Sequence, residues 1–384
     1  MTTVLVVGAG IAGPALAHRL AERGASVTVV ERATGQRSSG APVDVRGPAV
    51  PVVAEMGVVP QLRDAATRAV RAVFVDARGR RIGQIPQQFG DGTALEVPRS
   101  ELSAILSAAA SRRAEFVLDE SVSALHDDGR GVDVEFERGR PRRFDLVVGT
   151  DGLHSRVRSL AFGEESRFVR PLGITVAGVT LAEPPADPES VVLHSAPGRT
   201  VALHPGTGRA MAAFFWRGPA PSARERHDPA AQKQLVTGAF TGMGWRTSEL
   251  LEAVTAADDV YLDGVSLVRM PAWSRGRIGL LGDAATCASL LGDGSSTAIA
   301  GAEVLAAAVA AQPDDLPAAL RAYERAHRPL VEARQRGVRA AAAFLVPATA
   351  AGLAARDLGL RVVGTATVAW LLRRWSGEPA RAPR

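Results

Sequence analysis

Gly8, Gly10 and Gly13, spaced G-x-G-x-x-G, could hold a pyrophosphate, and Glu31 follows where an acidic residue could take ribose hydroxyls. The first glycine serves a tight turn. The second lets a pyrophosphate approach the backbone, and the third lets a helix pack closely on a strand. A helix that opens here presents unpaired N–H groups to phosphate charge. Thr3–Val7 and Ser26–Val30 flank the unit as apolar, β-branched runs that read as buried strands. Pro14 suits the first turn of the helix between them, and Gly24 suits its end. This β–turn–α–β unit points to a dinucleotide, with Arg32 beside Glu31 as a further contact. It does not separate NAD from FAD.

Two later segments narrow the choice. Asp145–Arg158 reads DLVVGTDGLHSRVR, and Gly276–Ala285 reads GRIGLLGDAA. They resemble the DG and GD fingerprints of the class A flavoprotein monooxygenases, the p-hydroxybenzoate hydroxylase-like family. The chain's length is similar to that of the family's smaller, tetracycline-degrading members. The resemblance implies that Gly8, Gly10 and Gly13 bind the ADP part of FAD and that Asp283 contacts the ribityl chain. It puts Asp151 and Gly152 where FAD meets a pyridine nucleotide. Arg99, in VPRSELSAIL, resembles the family's FAD-contacting arginine, and Val43–Gly57 resembles its stretch beside the flavin ring. The motifs keep the family's order from residue 2 to about residue 345.

FAD is long, so its contacts must come from distant parts of the chain. Gly282-Asp283 can form a second strand-to-helix turn for the ribityl chain. Gly292 and Gly294, ahead of an Ala-rich helix, would bring backbone N–H groups to the pyrimidine edge, where negative charge develops on reduction. The sequence departs from the family here. Thr286–Leu291 is one residue shorter than is common and has no proline, and Asp293 adds a negative charge. No second G-x-G-x-x-G is present. In the family the reductant, NADH or NADPH, binds transiently in a surface groove.

Substrate-side candidates are fewer. Asp44 and Arg46 lie in the stretch expected near the flavin ring and are candidates for catalysis or contact. Phe214, Phe215 and Trp216 share one strand-like run, so alternate side chains point opposite ways and one face could line a pocket. Phe215, Trp216 and His204 are the substrate candidates, with His194 a further histidine at a strand end. No Ser/His/Asp triad, P-loop, HExxH or paired-carboxylate pattern stands out. One cysteine, Cys287, excludes a cysteine-based zinc cluster, and no metal is expected. The Trp-x-Trp of flavin-dependent halogenases is absent, and Lys233 is the single lysine.

These residues need a scaffold. The chain has 384 residues, 46% hydrophobic and 22% charged, which suits two globular units and excludes disorder. The pI near 10.4 comes from arginine, because the net charge is only +5. The arginines are scattered, so nucleic acid is not an expected partner. The expected fold is α/β: a Rossmann-like FAD-binding domain, an inserted β-sheet substrate domain and a helical C-terminal segment. The expected boundaries are 1–69, 97–165 and 268–345 for the FAD-binding domain. Residues 70–96 and 166–267 form the β-rich domain, and 346–384 a C-terminal helix and tail. Val70–Ile85 reads as a hairpin and Arg99–Ala110 as a helix. Glu115–Leu125 reads as strand, and helix breaks are expected at Pro313 and near Pro329 and Pro347. No targeting segment is visible, and Gly359–Leu372 is too short to span a bilayer. A cytoplasmic monomer or homodimer without an integral membrane segment is expected, with Ala348–Trp375 packed over both domains, or alternatively forming a dimer face or a membrane-surface helix.

The resemblance thus implies an FAD-dependent monooxygenase that uses NADH or NADPH and O2. Through a flavin C4a-hydroperoxide it would hydroxylate an apolar, aromatic or polycyclic small molecule. Alternatives that share the flavin are Baeyer–Villiger insertion, epoxidation, dehydrogenation, or a flavin-binding module without turnover.

Overall fold

Val4, Leu5, Val6 and Val7 bear only apolar side chains, and β1 (Thr3–Val7) is buried along nearly its whole length. It sits inside a parallel sheet of the computed structural model, which describes residues 1–35, 42–86, 94–184, 186–206, 208–288 and 294–362. α1 (Ala12–Glu22) leads from it to β2 (Ser26–Glu31). Next come β3 (Val43–Val45), α2 (Ala49–Glu55) and α3 (Val59–Ala65), then the hairpin of β4 (Arg71–Val75) and β5 (Arg81–Pro86). β6 (Leu95–Val97) pairs antiparallel with β3, and α4 (Arg99–Ala110) runs on to β7 (Glu115–Leu118). β8 (Val122–Asp127), β9 (Val132–Phe136) and β10 (Arg142–Phe144) make a small antiparallel sheet. β11 (Leu146–Gly149) and α5 (Arg156–Phe162) follow.

The middle of the chain builds the second layer. β12 (Val169–Thr180), β13 (Ser190–Ala196), β14 (Arg199–His204) and β15 (Met211–Arg217) precede α6 (Ala223–His227), α7 (Pro229–Phe240) and α8 (Thr247–Ala256). β16 (Tyr261–Val268), β17 (Ser274–Arg275), β18 (Ile278–Leu280) and α9 (Asp283–Thr286) come next. The chain then runs through α10 (Gly294–Ala311), α11 (Leu316–Leu345) and α12 (Ala350–Val362).

Among the described residues the first sheet has the order β17-β18-β11-β1-β2-β7, parallel except for β17. In such sheets ligands bind outside the carboxyl ends of the strands. Gly8, Glu31, Thr150 and Leu281 all lie at that end. The second sheet has the order β16-β12-β15-β14-β13-β4-β5, so the hairpin expected at Val70–Ile85 joins the later strands. α10 is long and apolar enough to cross a membrane, but Ile299, Ala302, Leu305 and Ala306 are fully buried beside α1 and α11, as in a core helix.

Three local expectations are corrected. The expected strand Glu115–Leu125 is two strands in different sheets, because Asp119 turns left-handed at φ 57°. No break occurs at Pro329, which lies inside α11. Buried Tyr323, His327, Val331 and Gln335 pack this helix on both sides of the proline and offset its lost hydrogen bond. Residues 223–256, read within a β-rich stretch, are helical. Their start signals were present: Ser222 and Glu225 form a capping box, and Asp228 caps α7 ahead of Pro229.

Candidate active site

The glycine turn is set by close packing. Gly8 has φ 107°, and a Cβ there would lie 2.8 Å from the Asp151 Cα. A Cβ on Gly13 would lie 1.9 Å from the Gly8 carbonyl oxygen. A Cβ on Gly10 would meet nothing within 4 Å, so that backbone faces open space. α1 has no side-chain cap at its start, which leaves first-turn N–H groups for an anion.

Side chains brace this turn. The Thr150 hydroxyl lies 2.8 Å from both the Val7 and Gly8 carbonyls. The Ser103 hydroxyl of α4 reaches the carbonyls of Ala9 at 3.2 Å and Gly10 at 3.1 Å. The Glu31 carboxylate accepts from Ala9 N at 2.8 Å and Ala33 N at 3.0 Å. It therefore stands at the turn with lone pairs to spare for ribose hydroxyls. Arg32 and Arg99 are exposed, and neither is paired within the described residues.

The GD turn meets the glycine turn in space. Gly282 has φ 66°, and a Cβ there would lie 3.0 Å from the Ala12 Cβ. Asp283 is half-buried, and its carboxylate has no hydrogen bond or ion pair to another described residue. A Cβ on Gly294 would lie 3.5 Å from its Oδ1. Gly292 and Asp293 fall outside the described residues. At the start of α10, Ser295 and Ser296 donate to the Asp44 carbonyl at 2.6 and 2.7 Å, and Arg46 N donates to the Ser296 hydroxyl at 3.0 Å. Arg46 is buried with its Nε 3.6 Å from the Asp44 carboxylate. Asp44 and Arg46 thus stand at the α10 N-terminus, the expected place of the flavin's pyrimidine edge.

The DG segment locks these parts together. The Asp151 carboxylate accepts from the Ser155 hydroxyl and Arg156 N, each at 2.6 Å, and from Val157 N at 3.1 Å. It caps α5, while burial raises its pKa against those bonds. Gly152 follows at φ 80°, with no atom near its missing side chain. Arg158 is fully buried and donates to the Ala284 carbonyl at 2.8 Å and the Leu153 carbonyl at 2.5 Å, so one guanidinium joins DG to GD. His154 lies 3.0 Å from Glu165 and 3.2 Å from Asp263. Asp263 and Glu165 raise its pKa to about 9 against burial. The sequence quoted His154 and Arg158 within the motif but did not reveal these partners.

The second sheet turns one face toward this region. Pairing puts His204 opposite Met211, and Tyr261 opposite the bare Gly178. Burial raises the Tyr261 pKa; Asp263 adds to the shift, and Arg99 opposes it. Tyr261 was not singled out in the sequence, where no motif marks it. His204 Nδ1 is buried and has no hydrogen-bond partner among the described residues. Burial lowers its pKa, with Glu96 pulling the other way, so the imidazole is neutral near pH 7. Glu96 lies across from Asp44 in the β3–β6 pair, so His204 lies near that pair. Phe215 shares this face and packs against the same apolar cluster as Phe344 and Leu345. Trp216 does not: alternation turns it to the opposite face, where its ring lies 5.9 Å from Phe240 of α7. His194 is buried and bonded to the Val75 carbonyl at 3.1 Å, a structural role.

The residues present fit FAD. The open backbone at Gly10, the uncapped start of α1 and the unpartnered Asp283 carboxylate lie where its pyrophosphate and ribityl groups are expected. The chain matches the FAD binding domain family over residues 1–337. An uncharacterized protein of Mycobacterium tuberculosis is 36% identical over 351 residues, spanning 87% of this chain and 92% of that protein. A flavin-dependent monooxygenase from an unknown prokaryotic organism is 31% identical over 351 residues, spanning 89% of this chain and 90% of its own length. The crystal structure of tetracycline destructase Tet(55) is 28% identical with a TM-score of 0.82, covering 100% of this chain and 99% of that one. The chain belongs to the FAD binding domain family and is an FAD-dependent monooxygenase of class A.

Proposed function

We propose that this monooxygenase uses NADH or NADPH and O2 to hydroxylate an apolar, aromatic or polycyclic small molecule held between the flavin and the second sheet. When bound, FAD supplies the redox chemistry and the activation of O2. The chain's own residues bind, orient and exclude water. The observation that carries the reading is His204: an imidazole whose pKa burial lowers, with a buried Nδ1 that has no hydrogen-bond partner among the described residues, on a largely apolar sheet face. An unpaired buried nitrogen of that kind is costly unless a ligand pairs with it. A substrate hydroxyl or carbonyl suits it, by accepting from or donating to the ring. The tetracycline destructase similarity supports a polycyclic substrate. The oxygen-transfer route implied by the family, the discontinuous FAD-binding domain with its β-rich insert, and a cytoplasmic monomer or homodimer belong to the same reading.

The test is oxidation of NADH and NADPH by the FAD-loaded protein over a panel of polycyclic phenols, under isotopically labelled O2. The reading expects substrate-stimulated oxidation and a product heavier by one labelled oxygen atom. Oxidised product without label would point to dehydrogenation and overturn it.

A further inference from the structure

Outside the flavin site, α11 and the edge strand β17 enclose a groove of about 870 Å³. Arg321, Arg325, Arg328 and Arg336 line it, against two carboxylates, Glu324 and Glu332. Both carboxylates turn to Arg328. Glu324 pairs with it and also accepts from Trp273 N, and Glu332 lies 3.8 Å from it. Arg328 is further held over the Trp273 ring, 4.7 Å from its centre. Arg321, Arg325 and Arg336 are exposed and have no counter-charge among the described residues. Arg321 and Arg325 are spaced i,i+4, where like charges repel along one helix face. Three uncompensated guanidiniums therefore face one concavity, and a concave wall concentrates their field.

We propose that this groove binds a small molecule bearing two or more phosphate groups, such as a nucleoside polyphosphate. Guanidinium forks match phosphate oxygens in pairs. Arg321 to Arg336 spans ~22 Å along the helix, which suits an elongated anion rather than a single phosphate. The groove is not the flavin cradle. It borders Ser274 and Gly276, which lie beside and ahead of β18, whereas the cradle lies past the carboxyl end of that strand. A ligand here is an effector or a partner of the enzyme, not its resident flavin.

The test is calorimetric titration of the FAD-loaded protein with inorganic pyrophosphate, then with ATP, at fixed ionic strength. Loading fills the glycine turn, and flavin absorbance read beforehand separates a failed flavin site from a failed groove. Saturable pyrophosphate binding is expected. It should weaken about tenfold or more in the triple variant Arg321→Gln/Arg325→Gln/Arg336→Gln with flavin content unchanged. Tighter ATP than pyrophosphate binding would assign the ligand to nucleotides, and equal binding to polyphosphate alone. No saturable binding of either, or equal affinity in the triple variant, overturns the proposal.

Discussion

A methyl group on Gly13 would sit 1.9 Å from the carbonyl oxygen of Gly8, whereas one on Gly10 would touch nothing. The two glycines therefore serve different ends. Gly13→Ala should strain the apo fold by roughly 1–3 kcal/mol and lower Tm. Gly10→Ala should leave the apo Tm near wild type and weaken FAD, because its methyl intrudes only where the pyrophosphate approaches. Differential scanning calorimetry without FAD, paired with FAD titration, separates the two. Equal Tm losses would contradict the assignment.

Asp283 offers a cleaner probe of the ribityl side. Its carboxylate makes no hydrogen bond to another described residue, so Asp283→Ala should cost the apo protein little. FAD affinity should fall by about tenfold or more, as for a lost pair of hydrogen bonds. The fluorescence of released flavin after desalting measures it. Undiminished retention would remove Asp283 from the site.

His154 gives the fold a pH dependence. Its folded pKa, about 9, lies above the ordinary 6.5 because Asp263 and Glu165 hold the imidazolium. Its contribution is full below pH 6.5 and is lost as pH rises through 9. Wild-type stability should therefore fall across that window, and His154→Gln should flatten the fall. Urea unfolding at a series of pH values tests this; parallel curves would contradict it.

His204 should trade stability for function. Removing its buried nitrogen, which has no partner among the described residues, with His204→Leu should leave stability unchanged or raise it by about 1 kcal/mol at most. FAD retention should hold, while substrate-stimulated NAD(P)H oxidation falls. A drop in Tm with turnover preserved would make the histidine structural.

The parallel-sheet half of the molecule was legible because its signals are local. The glycine spacing, Glu31 and the strand runs each act within a few residues, and the helix over Arg99–Ala110 is found at those bounds. What stayed hidden depends on distant pairing. Asp44 meets Ser295 and Ser296 only because β3 folds onto the start of α10. Trp216 and Phe215 are adjacent in sequence, so only the packing of α7 and α11 decides which face each takes. The starts of α6 and α7 carry local signals in Ser222 and Asp228, but the apolar runs on either side of them have strand character.

The central claim is that distant motifs close on one FAD. The most direct measurement is the visible absorption spectrum of the purified protein after FAD addition and gel filtration, in the wild type and in Gly10→Ala/Asp283→Ala. The account predicts a retained flavin spectrum in the wild type and a colourless, folded double variant. A colourless wild type, or a double variant that keeps its flavin, would contradict it.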